Sequence, residues 1–254
     1  MRRRRALRVA GRETVGPYTL LRLERRDVDP GAPGQFFMLS PPGRVLPRPM
    51  SVCLASAGEL AFLVDPVGPG TLALCELEPG DSLPVFGPLG RGFDLRVRRP
   101  LLVGGGIGVA PLPSLSQALG SPPAVLGFRS ERYAEAAALL PGAEVVLEPA
   151  LVTDCHLDGF DVLACGPEPM LRALARRCPS AQLAWEAPMA CGYGACYGCV
   201  VEIDGALRRL CVDGPVVRAE AVGKEDRDPM RTSTCAMNAG PERRRGSVTA
   251  SVSR

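Results

Sequence analysis

Short apolar runs separated by glycine and proline dominate the first part of the chain. YTLLRLE, QFFMLS, MSVCLAS, LAFLVDP and DSLPVFGP alternate with DPGAPG, PPG, SAGE and EPGD. Several short strands at this spacing predict a β-barrel or sandwich over residues 1–97. The rhythm changes at Arg98–Pro100. PLLVGGG reads as a continuous apolar strand, AVLGFRS as a second, buried one, and AEVVLEP, FDVLACGP and AQLAWEA as three more; VAPLPSLSQALG, RYAEAAALLPG and EPMLRALARRCP between them read as helices. Alternating strands and helices predict an α/β doubly wound parallel sheet over 98–187. Residues 188–222 are too short and too rich in cysteine for another such unit, so a small separate module is expected there. From 223 to 254 no apolar period survives, and a disordered tail is expected. No internal repeat is seen.

The glycine stretch Gly104, Gly105, Gly106, Ile107, Gly108, Val109, Ala110, Pro111 follows a strand and opens a helix. Glycines there let the backbone approach a diphosphate, and unpaired N–H groups at a helix start attract it. Pro111 suits a first helical turn, where a missing N–H costs nothing. The strict G-x-G-x-x-G/A fingerprint is not met, and no acidic residue stands at the usual ribose distance. A ligand-free strand–helix turn therefore stays open on these residues alone. Cys165, Gly166 and Pro167 end the fourth strand at the carboxyl edge, where such sheets bind ligands. A packed core cysteine is the alternative there. In the β region LPRPMS sets Arg48 between Pro47 and Pro49, which hold the backbone extended. Arg48 suits a phosphate and Ser51 a ring nitrogen, although a surface arginine in a proline-rich turn would look the same. GPGT (68–71) and GPLGRGF (87–93) expose backbone in the manner a flat cofactor needs.

Cysteine carries the most specific signal. Four of the ten lie in MACGYGACYGCVVEIDGALRRLC, as Cys191-x4-Cys196-x2-Cys199-x11-Cys211. That is the spacing of plant-type [2Fe–2S] ligation. A zinc site would more typically show two C-x2-C knuckles, and only Cys196 and Cys199 form one; zinc and unligated thiols remain the alternatives. Interleaved glycines allow positive φ and let N–H groups point at sulfur. The other six cysteines are expected as small buried hydrophobes. His156 is the lone histidine, which excludes a histidine-ligated cluster and a histidine-based hydrolase.

Composition narrows the class further. Hydrophobic residues at 46% and charged residues at 22% describe an ordinary globular chain, and 254 residues suffice for one large or two modest domains. A net charge of +3 is too small to imply a nucleic-acid partner. Lys224 is the sole lysine, so the arginine runs 2–5 and 243–245 reflect a general bias and are expected as solvated termini. No apolar stretch follows the basic start as a signal peptide requires, and none reaches the roughly 18 residues of a membrane span. A cytoplasmic location is expected, where clustered thiols stay reduced.

Taken in order, RPMS, GPLGRGF, LLVGGGIGVAPL, GFRS, ACGPEPML and CGYGACYGC…CVDGPVV resemble the electron-transfer subunits of two-subunit, NAD-dependent dihydroorotate dehydrogenase (type B), a branch of the ferredoxin reductase-like flavoproteins. The resemblance covers roughly 6–222 and implies FAD on the barrel, NAD on the α/β domain and [2Fe–2S] on the C-terminal module. It implies FAD contacts at Arg48, Pro49, Met50, Ser51, Leu63, Val64, Asp65, Gly70 and Thr71, with Arg48 on the diphosphate and Ser51 near the ring. Gly104, Gly105, Gly106, Gly108, Pro111, Cys165, Gly166 and Pro167 would line the nicotinamide-nucleotide site. Cys191, Cys196, Cys199 and Cys211 would ligate the irons. The wider family usually has an aromatic ring where Met50 stands, so the flavin's stacking partner is unassigned. The implied partner is an FMN-containing catalytic subunit that oxidises dihydroorotate in pyrimidine synthesis, in a heterotetramer of two copies of each. Electrons would pass from it through [2Fe–2S] and FAD to NAD+, with no catalytic side chain required of this chain. The rival reading is an NAD(P)H reductase subunit serving a ferredoxin, hydrogenase or sulfur reductase. Within GFRSER, Arg129 would favour a 2′-phosphate and Glu131 would oppose it.

Overall fold

The computed structural model describes residues 3–203 and 205–222; the expected tail and Cys235 lie outside the described residues. Seven antiparallel strands open the chain: β1 (Arg3–Val15), β2 (Tyr18–Glu24), β3 (Phe36–Leu39), β4 (Arg48–Ser51), β5 (Leu54–Ala55), β6 (Glu59–Val64) and β7 (Ser82–Leu89). Their order is β4-β3-β7-β1-β2-β6-β5. The inner face carries Leu7, Val9, Leu21, Leu23, Phe37, Phe62 and Leu83. Phe37 and Phe62 meet edge to face at 5.8 Å, an arrangement ring quadrupoles favour. A short helix, α1 (Pro69–Cys75), follows β6.

The N-terminal arginines are not a solvated arm from Arg3 onward. Arg3, Arg4 and Arg5 pair with Gly87, Phe86 and Val85 of β7. A strand needs only its backbone for the ladder, so Arg4 and Arg5 keep their side chains in water while the chain is held in register.

The second sheet holds β8 (Pro100–Gly105), β9 (Ala124–Phe128), β10 (Glu144–Leu147), β11 (Asp161–Cys165) and β12 (Gln182–Ala184), all parallel. Helices α2 (Leu112–Leu119), α3 (Glu131–Ala134) and α4 (Glu168–Arg177) connect them. The order β10-β9-β8-β11-β12 reverses direction at β8 and β11, the switch point where doubly wound sheets open a crevice. The helix expected over RYAEAAALLPG is one short α turn followed by a 3₁₀ segment at Glu135–Leu139.

The C-terminal segment contributes a hairpin, β13 (Val200–Ile203) with β14 (Ala206–Arg209), and a turn of helix α5 (Leu210–Asp213). Its last strand, β15 (Val216–Arg218), leaves the cysteine region and adds to β12 as the antiparallel edge of the parallel sheet. The segment expected as a separate module thus supplies part of the α/β layer. Edge strands invite such additions because one row of N–H and C=O groups stands unpaired.

A shared buried cluster and several hydrogen bonds join barrel and sheet. Tyr18, Leu20, Cys53 and Leu63 share one buried cluster with Val109, Leu112, Leu126 and Cys165. Ser114 Oγ donates to the Val52 carbonyl at 3.0 Å. Behind them, Asp94 N donates to Gln182 Oε1 at 2.7 Å, and Gln182 Nε2 returns a bond to Asp94 O at 2.8 Å.

Candidate functional site

Strand β4 holds the residues expected against the flavin. Successive side chains alternate faces, so Arg48 and Met50 share one side, and Pro49 and Ser51 the other. Met50 packs on the barrel core. It is half-buried, so part of its side chain stays accessible beside the expected flavin. The Arg48 guanidinium lies against Gly70, where a Cβ would collide with it, and its Nη1 donates to the Leu46 carbonyl at 2.8 Å. Gly70 thus leaves room for a cation beside the buried turn that begins α1. The Thr71 hydroxyl is engaged with the Gly68 backbone at 3.1 Å, which fixes that turn. Leu63 and Val64 are buried side chains. On one side they pair with Leu20 and Thr19, while the ladder to β5 ends at Ala61. Their opposite backbone edge is therefore available to a planar ring with donors and acceptors at its rim. The Cβ-free cradle at Gly70, the cation in it and this backbone edge fit a flavin dinucleotide.

A cavity of about 560 Å³ opens at the carboxyl ends of β8, β9, β10 and β11. Gly105, Gly106 and Pro167 line it, as does Asp65 from the barrel. The remaining residues expected here are not among those lining the cavity. A Cβ on Gly104 would lie 2.7 Å from Leu126 and 2.8 Å from Leu112, so this glycine faces the core. A Cβ on Gly108 would lie 2.5 Å from the Cys165 carbonyl carbon and from Gly166 Cα. Gly108 and Gly166 let the two loops meet, and Pro111 caps α2. Cys165 is buried, and burial first, then the nearby Glu186 charge, pushes its thiol far up. Its side chain packs in the cluster that barrel and sheet share.

The cavity also uses residues that the motifs did not single out. Tyr18, Phe128, Tyr133 and Met170 give it apolar walls, and Glu148 and Thr153 add polar ones. The Arg129 guanidinium sits 3.8 Å from the Tyr133 ring centroid, a cation–π contact. Glu131 is not among the lining residues. Burial raises the pKa of Asp65, and Arg129 opposes the shift. Tyr18 and Tyr133 come from distant parts of the chain, and no spacing rule connects them.

The four cysteines converge on one side of the barrel. A Cβ on Gly192, at φ +76°, would lie 2.6 Å from Met38 Cγ and 3.0 Å from Leu89 Cδ1. The cysteine loop therefore sits directly on β3 and β7, with Cys199 and Cys211 inside the buried cluster that includes Phe36 and Met38. Ala195 N and Cys196 N donate to Cys191 Sγ at 3.3 and 3.4 Å, and Cys211 N to Cys199 Sγ at 3.5 Å. Gly194, at φ +85°, and Tyr197, at φ +59°, bend the loop into this shape. Burial opposes ionisation of Cys191, but the N–H groups of Cys196, Tyr193 and Ala195 and the Cys196 side chain pull its thiol down to about 6. Burial, then the Cys199 sulfur, pushes Cys211 up to about 12. No three of the described His, Cys, Asp and Glu side chains gather around one metal position. The spacing Cys191-x4-Cys196-x2-Cys199-x11-Cys211 is that of a two-iron cluster. Cys196 is exposed, whereas Cys199 and Cys211 are buried.

Comparison with known proteins agrees with this arrangement. The structure superposes on the NADH-dependent reduced ferredoxin-NADP oxidoreductase with a TM-score of 0.74 at 24% identity, covering 85% of this chain and 89% of that one. It also matches the FAD/NAD-binding domain of nitric oxide dioxygenase from Vibrio cholerae (TM-score 0.57, 18% identity, 68% of this chain and 91% of that one). Barrel, switch-point sheet and cavity together define a ferredoxin reductase-like fold. Residues 186–223 match the model of the iron–sulfur cluster binding domain of dihydroorotate dehydrogenase B. The dihydroorotate dehydrogenase B (NAD(+)) electron transfer subunit of Bacillus caldolyticus is 38% identical over 221 residues, covering 75% of this chain and 86% of the relative. That of Clostridium perfringens is 34% identical over 209 residues, covering 72% and 83%. The chain belongs to the dihydroorotate dehydrogenase B electron transfer subunit family.

Proposed function

We propose that this chain is the electron-transfer subunit of a dihydroorotate dehydrogenase, delivering electrons from a catalytic partner to NAD+ in pyrimidine synthesis. One observation carries the reading: the cysteine loop, exposed at Cys196, is seated through Gly192 on β3, the neighbour of the flavin strand β4. When bound, [2Fe–2S] supplies single-electron relay and FAD supplies the conversion to two-electron hydride chemistry. Cys191, Cys196, Cys199 and Cys211 would hold the irons, and N–H groups aimed at Cys191 and Cys199 would tune them. Arg48 would neutralise the FAD diphosphate, with Gly70 and Thr71 beside it; Pro49, Met50 and Ser51 would contact the flavin, Ser51 near the ring, and the backbone of 63–65 would run along it. Gly105, Gly106 and Pro167 would hold the nicotinamide nucleotide, with Gly104, Gly108, Pro111, Cys165 and Gly166 shaping the loops beneath. In this reading residues 1–97 serve FAD, 98–187 NAD and 188–222 the cluster.

Beside Cys191 a groove of about 310 Å³ is lined by Arg4, Met38, Leu46, Phe86 and Tyr193. Val45 and Leu46 on its rim are 97% and 53% exposed. This apolar edge next to the thiols is the surface offered to an FMN-containing catalytic subunit, in an assembly of two copies of each. No helix among the described residues is long and apolar enough to cross a membrane, and the cytoplasm is the proposed location.

Co-expression with the dihydroorotate dehydrogenase catalytic subunit should yield a coloured complex that reduces NAD+ with dihydroorotate. The reading fails if the complex does not form, or if this chain alone oxidises dihydroorotate. Selective function with a hydrogenase or sulfur-reductase subunit would favour the rival.

A further inference from the structure

Tyr18 occupies an unusual position for a phenol. Its ring is sealed in the cluster shared by barrel and sheet, with the residue only 1% exposed. Tyr133 meets it edge-on at 5.7 Å. Its hydroxyl makes no hydrogen bond with any described residue, yet it is not among the sealed unpartnered atoms, of which the described residues hold Trp185 Nε1 alone. The oxygen opens onto the cavity that Tyr18 lines. A Cβ on Gly106 would stand 4.0 Å from it. Phenylalanine would fill the same space without an unpaired polar atom, and such an atom is costly unless something satisfies it.

We propose that Tyr18 is a positioning residue for the nicotinamide dinucleotide, its hydroxyl donating to the ribose–diphosphate that crosses the turn at Gly105 and Gly106. The inference rests on the nicotinamide reading of the cavity. The glycine turn is where a diphosphate can approach backbone most closely. A diphosphate offers only acceptors, so the complementary protein group is a donor. Burial, then the Asp65 charge, raises the Tyr18 pKa to about 12, which keeps its proton in place at neutral pH. Arg129, stacked on Tyr133, stands across the same cavity and balances Asp65. Tyr18 comes from β2 of the barrel, so its bond would tie the nucleotide to the flavin-side wall as well as to the sheet.

The test compares wild-type protein loaded with FAD and iron–sulfur cluster with Tyr18→Phe. NAD+ binding is measured by calorimetry, and NADH oxidation is followed with ferricyanide. The expected result is an NAD+ Kd and an NADH KM about tenfold higher, the scale of one lost hydrogen bond, with kcat within about twofold. FAD content should be unchanged and the thermal midpoint equal or higher, because the substitution removes an unpaired polar atom. Equal NAD+ binding by the two proteins would overturn the assignment. So would loss of FAD, or a clearly lowered thermal midpoint, since each would mean that the hydroxyl serves the flavin or the fold. Failure of the wild-type protein to bind NAD+ at all would instead overturn the nicotinamide reading.

Discussion

Replacing Gly108 with alanine isolates the contact that holds the nucleotide site together. The added Cβ would lie 2.5 Å from the Cys165 carbonyl carbon and from Gly166 Cα. Carbon atoms pack best at about 3.5–4.0 Å, so one loop must retreat by roughly 1 Å. The obstacle is backbone at the end of β11, itself paired to β8 and β12, and no flexible side chain can give way. Overpacking typically costs 1–3 kcal/mol, and a backbone collision belongs at about 3 kcal/mol. With about 2–4 °C per kcal/mol for a fold of this size, the thermal midpoint should fall by roughly 6–12 °C. Gly106 provides the internal control. It has φ +54° and only the Tyr18 hydroxyl within reach of a Cβ, at 4.0 Å. Gly106→Ala therefore pays only the left-handed penalty of about 1–2 kcal/mol, or roughly 2–8 °C. Alanine also restricts the unfolded chain, but equally in both variants. Differential scanning calorimetry of the three proteins decides the matter. A Gly108→Ala midpoint within about 2 °C of wild type, or above that of Gly106→Ala, would refute the argument that the two loops meet through this glycine.

Arg48→Ala should weaken FAD binding by about 10- to 150-fold, the range of a hydrogen bond to a charged group, and Arg48→Lys should recover part of it, as read by flavin fluorescence titration. Cys199→Ser should abolish partner-dependent NAD+ reduction while NADH still reduces FAD in stopped-flow absorbance; loss of both would mean that the cysteine loop holds the fold. Asp94 is pulled down to about 2, chiefly by hydrogen bonds from Arg96 and then by the charges of Arg96 and Arg218. A depressed folded pKa gives stability that is present above the unfolded value near 4 and lost as pH falls through about 2. The gap in thermal midpoint between wild type and Asp94→Asn should therefore be full at pH 6 and shrink between pH 4 and 2; a gap independent of pH would refute the electrostatic origin.

Much of this molecule was legible from residue order alone. Alternating apolar runs with turn residues between them produce a barrel whatever surrounds them, and buried strands alternating with helices produce a parallel sheet. Both patterns reflect periodicity, which is local. The C-x4-C-x2-C-x11-C spacing is equally local, because thiols so close along the chain can reach one metal centre once glycines permit the bends. Tertiary structure decided what locality could not. It separated Gly105 and Gly106, which face the cavity, from Gly104 and Gly108, which face Leu126 and Cys165. It set one side of Met50 against the barrel core, where the strand sequence left its side open. It drew β15 out of the cysteine segment to complete the sheet, and the arginine run into β1. It brought Tyr18 of the barrel to within 5.7 Å of Tyr133, more than a hundred positions away, to form one wall of a shared site. Sequence periodicity tells each segment which face to bury; which partner covers that face depends on how distant elements pack.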